Sequence, residues 1–282
     1  MPEERRPSCS TTSPSNAAMS ARRDVLINVA ETNQFYGSLA EWWPLISPIE
    51  DYQEEALFFL GLLGGPQRPR RTLLELGSGG GSNASYFAPH FDLTLVDLSE
   101  QMLEVSRQLL PGVAHICADM RTLRLDRVFD VVFIHDAIDY MTNEEDLRRS
   151  LTTAFVHLAP GGTAVFVPDA TREIFEPDHG AGGTDGDDGR SVRFLHWTTD
   201  PDPKGTEAVT EYVFLLRHAD GRVQVVHETH RTGLFPRETW FRTLVEVGFD
   251  VHRITEDTEE DRRGRDVFVA RRFDATGVSS CF

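Results

Sequence analysis

The sequence predicts an α/β protein: a seven-stranded, mostly parallel sheet with helices on both faces, and a small antiparallel β insertion after strand five. Three observations carry this expectation. Between residues 72 and 168, short runs of Val, Ile, Leu and Phe alternate with helical stretches, the pattern of parallel strands buried on both faces. After Asp169, three strand-like runs follow with no helix between them, so they should pair antiparallel. A closing helix and two closing strands then return the chain to the main sheet.

Each element has its own signal. Residues 1–22 are rich in Ser, Thr, Pro, Asn and Arg with little to bury, and read as a disordered tail in which Met19 is an alternative start. Asp24 to Ile46 is loosely helical and carries Phe35, Tyr36, Trp42 and Trp43. Ser47, Pro48 and Glu50 read as a capping box opening a helix that Leu57, Phe58, Leu60 and Leu62 fill and Gly64-Gly65 ends. "TLLEL" (72–76) is strand one, followed by a glycine run and a short helix through Tyr86. "LTLVD" (93–97), "AHICAD" (114–119), "FDVVFIH" (129–135) and "TAVFVP" (163–168) are strands two to five. One helix is expected from Ser99 to about Leu110, and another to about Leu158 behind a Thr142/Glu145 capping box. Residues 176–191 read as a Gly/Asp loop, and 192–198, 209–218 and 222–235 as the antiparallel strands, with Asp220-Gly221 as a hairpin turn. A helix at 236–247 and strands at 250–255 and 266–272 finish the pattern.

Composition narrows the function. The 282 residues hold 28 Lys+Arg against 45 Asp+Glu, a net charge of −17. So acidic a chain is expected to repel nucleic-acid backbones and anionic membrane surfaces. There is a single lysine, Lys204, an arginine bias that reads as genomic composition rather than function. No apolar run reaches the roughly 20 residues of a membrane span, and no signal-peptide pattern opens the chain. Cys9, Cys117 and Cys281 are too few and too scattered for a disulfide framework or a zinc knuckle. The expectation is a soluble, cytoplasmic protein.

The chemistry starts at "LLELGSGGGSNAS". Strand, glycine loop and helix together present backbone N–H donors to a ligand. The spacing Gly77-x-Gly79-x-Gly81 departs from the dinucleotide fingerprint, which needs a glycine where Ser82 stands. Glu75, two residues before the first glycine, would repel a pyrophosphate and attract an ammonium. No Gly-Lys-Ser/Thr follows, which excludes a nucleoside triphosphate site. Asp97 ends strand two, twenty residues after Gly77, where an acid can accept from both ribose hydroxyls. Asp119 ends strand three, within reach of an adenine amino group. A nucleoside, an ammonium and no required phosphate describe S-adenosylmethionine.

These residues carry a resemblance. "ELGSGGG", "VDLSEQML", "CADM" and "FDVVFIHDAIDYM" resemble, in order, the four motifs of the class I S-adenosylmethionine-dependent methyltransferases, and "LAPGG" resembles their turn before strand five, over roughly residues 30–272. The resemblance implies a Rossmann-like fold with S-adenosylmethionine as cofactor and S-adenosylhomocysteine as product. It implies that Glu75, Gly77, Ser78, Gly79 and Gly81 hold the methionine part and Asp97 the ribose. Leu98 and Met102 would pack on adenine, and Asp119 and Met120 would read its edge. His135 and Asp136 would lie near the sulfonium. The expected organisation is a tail (1–22), N-terminal helices covering the site (23–70), the cofactor-binding core (71–170), a loop and lid (171–235), and a C-terminal helix with two core strands (236–282). The lid and "HETHRTGLF" (227–235) are also similar to actinobacterial natural-product methyltransferases, amino-sugar N-methyltransferases among them.

The expected acceptor is a small molecule. An acidic, aromatic pocket suits an amine or an electron-rich, indole-like ring, with O-methylation as the alternative. A nicotinamide oxidoreductase and a non-catalytic cofactor-binding protein are the rivals from other classes; Ser82 and Glu75 speak against the first, the aromatic lid against the second. His135 is the first candidate base, because imidazole titrates near neutrality, with Tyr36, Asp136 and Tyr140 beside it. Tyr36 is also a candidate cofactor contact, as is His135. Trp42, Trp43, Tyr140, His196, Trp197 and Phe235 are the candidate acceptor contacts. Met102 equally suits core packing, and His135 a satisfied strand-end histidine. His227 and His230 lie three apart in a strand and point to opposite faces, so no metal is expected there. "DGDDG" (185–189) lacks the ligands of a calcium loop and reads as a mobile loop. Self-association as a homodimer stays open.

Overall fold

The computed structural model describes residues 34–64, 71–258 and 264–273. The tail expected at 1–22 lies outside them. A 3₁₀ turn (Ala40–Trp42), α1 (Trp43–Ile46), a second 3₁₀ turn (Ile49–Tyr52) and α2 (Gln53–Leu62) precede the sheet. The core is then built from β1 (Arg71–Leu76), α3 (Ser82–Phe87), β2 (Phe91–Asp97), α4 (Glu100–Leu109), β3 (Ala114–Cys117), β4 (Phe129–Ile134), a 3₁₀ turn (Asp136–Tyr140), α5 (Glu144–His157) and β5 (Leu158–Phe166). The insertion comprises β6 (Asp178–Gly182), β7 (Ser191–Thr199), β8 (Glu207–Arg217) and β9 (Val223–Gly233). Helix α6 (Arg237–Val247) and strands β10 (Asp250–Glu256) and β11 (Arg265–Arg271) close the chain.

The seven-stranded sheet has the order β10-β11-β5-β4-β1-β2-β3, with only β11 antiparallel to its neighbours. Alternation along each strand divides the core in two. Leu74, Leu76, Val132, Ile134 and Phe166 pack with Leu147 and Leu151 of α5 and Trp240 of α6. Leu73, Leu95, Val131, Phe133 and Val165 pack with Phe59 of α2 and Phe87 of α3. Burying each such side chain fully is worth about 1.5–3 kcal/mol. Since β1, β2, β3 and β4 run parallel, their carboxyl ends open on one edge, the usual place for ligands in open α/β sheets.

The second sheet, order β6-β7-β8-β9, is antiparallel throughout. Its inner face packs Val192, Phe214, Leu216 and Val226 against Phe35, Leu39, Trp42 and Leu45. The N-terminal segment and the insertion therefore form one cover over the sheet edge.

Four local expectations are corrected. Ser47 and Pro48 form no capping box: no side-chain cap bond opens the second 3₁₀ turn, and the Ser47 hydroxyl bonds the Tyr52 hydroxyl at 2.6 Å. Helix α2 buries Glu55, Ala56 and Phe59 while Leu57 is 58% exposed, because the stripe facing the sheet runs through 56, 59 and 63. Asn143, not Thr142, caps α5, accepting from the Asp146 N–H at 2.9 Å. The 176–191 stretch is not all loop, since β6 forms there. A Cβ at Gly180 or Gly182 would lie 2.7 Å or 2.5 Å from the His196 or Phe194 ring on β7, so glycine lets these rings lie across β6. Among the described residues, no helix is long and apolar enough to cross a membrane.

Candidate functional site

Two cavities open at the carboxyl edge of the sheet. The first, about 590 Å³, lies over the glycine loop. The second, about 720 Å³, lies between the N-terminal segment, the 3₁₀ turn after β4, and the inner face of the second sheet. They share a wall: Tyr36, Trp43, Tyr52, Asp136 and Tyr140 line both.

The first cavity is shaped by backbone geometry. Gly77, Gly79 and Gly81 all have positive φ, so the loop turns over the end of β1 without a side chain in the way. At Gly77 the space is also closed, because a Cβ would sit 2.1 Å from the Ala137 Cβ. The N–H groups of Gly77 and Ser78 bond the Val96 carbonyl at 2.7 and 3.0 Å, anchoring the loop to β2. Asp97 then accepts from the N–H groups of Gly79 and Ser99, both at 2.8 Å. Burial raises the Asp97 pKa even so, with these donors working against the rise.

Glu75 points off β1 into this cavity and is 3% exposed. Its Oε2 has no hydrogen-bond partner, and neither does the buried Oγ of Ser78. Burial pushes the Glu75 pKa up to about 8. An acid held so has a strong call for a cationic donor.

Leu98, Met120, Tyr36 and His135 line the cavity as the sequence implies, together with Glu75, Gly77, Ser78, Gly79, Asp97 and Asp119. Met102 and Gly81 do not. Met102 is fully buried behind the loop, its Cε 3.6 Å from where a Gly79 Cβ would be, and Gly81 backs onto Ser106 of α4. Asp119 is already gripped: the Arg121 guanidinium reaches it at 2.6 Å and holds its carboxyl below the usual range. An adenine amino group would have to share that carboxylate with Arg121.

His135 is the largest departure from expectation. It sits in a buried cage formed by α2, β10 and β11. Arg265 Nη2 lies 2.8 Å from His135 Nε2 and donates to Glu55 at 2.6 Å, while Arg265 Nε donates to Glu256 at 2.6 Å. His135 Nδ1 lies 2.9 Å from Asp136. Burial works against the imidazolium, but the carboxylates of Asp136 and Glu55 outweigh it and hold the pKa at about 9. The cation has no lone pair to offer. In the neutral ring, Nε2 accepts from Arg265 and Nδ1–H goes to Asp136. In neither form does the ring present a free lone pair, so this geometry speaks against the expected role of His135 as base. Its partners Arg265 and Glu55 were missed: one sits in an ordinary strand, the other among helix-forming acids, and only the fold brings them together.

The second cavity is aromatic and acidic. Phe35, Trp43, Phe194, Tyr212 and Phe214 supply ring surface, and Asp136, Asp139, Asp169, Glu176 and Asp178 supply carboxylates. Asp139 is buried, accepts from the Asp169 N–H at 2.7 Å, and has its pKa raised well above the usual range by burial and the Asp169 charge. The Tyr140 hydroxyl bonds both the Tyr36 hydroxyl and His230 Nδ1 at 2.8 Å.

Of the expected acceptor contacts, Trp43, Tyr140 and His196 line this cavity. Trp197 does not: it follows His196 on β7, so alternation sends it to the outer face, 68% exposed. Trp42 is 2% exposed in the core under Arg190, and Phe235 is buried with Trp240. His227 and His230 take opposite faces, His227 bonding Glu211 at 2.7 Å outside and His230 lining the cavity. Asp185 and Asp188 of the "DGDDG" stretch pair with Arg193 and Arg190.

A family model described as a methyltransferase domain matches residues 73–162. A Streptomyces fradiae protein, dTDP-3-amino-3,6-dideoxy-alpha-D-glucopyranose N,N-dimethyltransferase, is 27% identical over 222 residues, 77% of this chain and 86% of its own length. A Streptomyces venezuelae protein, dTDP-3-amino-3,4,6-trideoxy-alpha-D-glucopyranose N,N-dimethyltransferase, is 28% identical over 223 residues, 78% and 91% of the two lengths. Among solved structures, Streptomyces venezuelae DesVI superposes with a TM-score of 0.70 at 26% identity, over 79% of this chain and 92% of that one. CalS10 with S-adenosylmethionine bound, an amino pentose methyltransferase from Micromonospora echinaspora involved in calicheamicin biosynthesis, gives 0.63 at 26% identity, over 79% and 90%.

Proposed function

The chain belongs to the S-adenosylmethionine-dependent methyltransferases, and on that premise we propose that its acceptor is the amine nitrogen of a small amino sugar made for natural-product biosynthesis. The observation that carries this is the wall common to two cavities, beyond which the larger one is lined by rings and carboxylates. The relatives named as amino-sugar N,N-dimethyltransferases support the amine over oxygen or carbon.

The smaller cavity fits the cofactor on its own evidence. The orphaned Oε2 of Glu75 suits the ammonium of a methionine part, and the loop leaves that approach clear at Gly77 and Gly79. Asp97 would take the ribose hydroxyls, Leu98 and Met120 the adenine faces. When bound, S-adenosylmethionine supplies a methyl group already activated by its sulfonium charge, which leaves the protein to position and to manage protons.

An amine reacts through its lone pair, so it must arrive, or become, unprotonated. Tyr36 and Tyr140 stand at the shared wall and orient the nitrogen through their bonded hydroxyls. The Asp169 carboxylate holds the ammonium by charge and accepts the proton that leaves it, while Asp139, kept protonated by burial and by the Asp169 charge, braces the Asp169 backbone N–H. Aromatic faces around them favour a cation at the same place. Asp136 is tied to His135 and Arg265 and contributes charge rather than basicity.

The test is methyl transfer to 3-amino-3,6-dideoxyglucose and its 3-hydroxy counterpart, read by mass spectrometry. The amine should gain one or two methyl groups and the hydroxy compound none. Methylation of the hydroxy compound alone would overturn the assignment.

A further inference from the structure

We infer that the acceptor site is built for an amine that carries no phosphate: an amino sugar presented as a glycoside or as the free sugar, and not as a nucleoside diphosphate. This rests on the amine reading above and narrows it. It also departs from the relatives named as acting on dTDP-linked sugars.

The cavity's charge makes the argument. Among the described residues, no lysine or arginine lines it, whereas Asp136, Asp139, Asp169, Glu176 and Asp178 do. A diphosphate normally meets arginine forks, lysine or a helix N-terminus. Arginines on the segments around this cavity are engaged elsewhere. Arg172, on the segment between Ala170 and Ile174 that walls it, donates to Asp200 at 2.7 Å and to the Gly205 carbonyl at 2.6 Å. Arg190 donates to Asp188 and lies over the Trp42 ring. Arg265 is buried in the cage and committed to Glu55, Glu256 and, behind the cavity wall, Asp136, with Asp169 4.0 Å away.

The other polar groups also suit a neutral or cationic guest. Thr198, Thr210 and Thr232 line the wall formed by the second sheet, as His196 does, its Nε2 3.4 Å from Asp178. Hydroxyls against hydroxyls and rings against sugar faces need no counter-charge. A diphosphate there would meet the Glu176 and Asp178 carboxylates at short range, with no lysine or arginine among the lining residues to receive it, which is repulsive. The same carboxylates attract an ammonium.

The experiment uses the full chain loaded with S-adenosylhomocysteine. Calorimetry measures dTDP binding, and turnover with S-adenosylmethionine compares dTDP-3-amino-3,6-dideoxyglucose with the methyl glycoside of the same amino sugar. The expected results are dTDP binding weaker than about 1 mM and a kcat/KM at least about tenfold higher for the glycoside, since a wrongly placed charge at a binding site costs a tenfold factor or more. A dTDP dissociation constant in the micromolar range, or faster turnover of the dTDP sugar, overturns the inference. If neither sugar is methylated while dTDP still fails to bind, the amine-sugar reading falls and the exclusion of diphosphate holds. Asp178→Lys, at an exposed rim position, supplies a second check. It should tighten dTDP binding several-fold, and an unchanged affinity would overturn the electrostatic argument.

Discussion

Glu75→Gln would set the stability of the ligand-free enzyme against its affinity for the cofactor. Glu75 has an ordinary value near 4.5 and stands at about 8 in the fold, driven up by burial. Below the lower value it is protonated in both folded and unfolded chains, and contributes nothing. Between the two, the unfolded chain ionises while the folded one keeps its proton, so stability falls as pH rises, by about 1.4 kcal/mol per unit. Above pH 8 the loss levels off on the order of 5 kcal/mol. Glutamine removes that loss, so the ligand-free variant should be progressively more stable than the parent as pH rises from about 5 to 8, as read by urea denaturation at several pH values. The same change deletes the partner of the ligand's ammonium, a charge-assisted bond worth about 1.5–3 kcal/mol, so S-adenosylhomocysteine should bind ten- to a hundredfold more weakly in calorimetry. In the parent, affinity should weaken as pH falls below about 8, because the ligand binds the carboxylate form. A stability difference that does not vary with pH, together with unchanged affinity, would refute the reasoning and place the ammonium elsewhere.

Gly77→Ala puts a Cβ 2.1 Å from the Ala137 Cβ at a backbone with φ of 76°, so it should lower the melting temperature and weaken cofactor binding, with Ala137→Gly recovering part of the loss. An unperturbed single variant would mean that the loop can move away. His135→Gln keeps an acceptor for Arg265 while removing the imidazole, so turnover should stay within about tenfold of the parent, whereas losing a true general base costs 10²–10⁴-fold. A loss in that larger range, with the fold intact by circular dichroism, would restore His135 as the base.

Much of the sheet could be read in the sequence because its signal is local. A strand such as "FDVVFIH" buried on both faces is a continuous apolar run wherever it lies, and the glycine loop with Glu75 and Asp97 depends on spacing along neighbouring strands. What escaped was set by contacts distant in sequence. The strand β6 looks like loop because its glycines make room for His196 and Phe194 on β7, a reason visible only once the two are paired. Trp42 and Trp197 looked like pocket residues because they are aromatic and near the right segments. Direction decides, and the side of a strand or turn on which each lands puts one in the core and the other in solvent. Arg265 and Glu55 lie 210 positions apart, and no periodicity connects them.

The charges at the sheet edge divide into two kinds, and the division explains why one histidine at the expected place does not do the expected work. Around His135 every group is matched: Arg265 holds Glu55 and Glu256, and Asp136 closes the cage. Breaking such a buried pair typically costs 3–5 kcal/mol, so the cage acts as a brace that fixes the end of β4 and the turn carrying Asp136, Asp139 and Tyr140. Glu75 and Asp139 are the opposite kind. Both are buried acids with raised pKa values, and both face cavities. Each is costly to ionise in the empty protein and becomes favourable only when a positive group arrives. The cofactor brings one ammonium and, on the proposed reading, the acceptor brings another. The braced charges thus set the geometry, and the two buried acids, one on each side of the wall formed by Tyr36 and Tyr140, set what binds there.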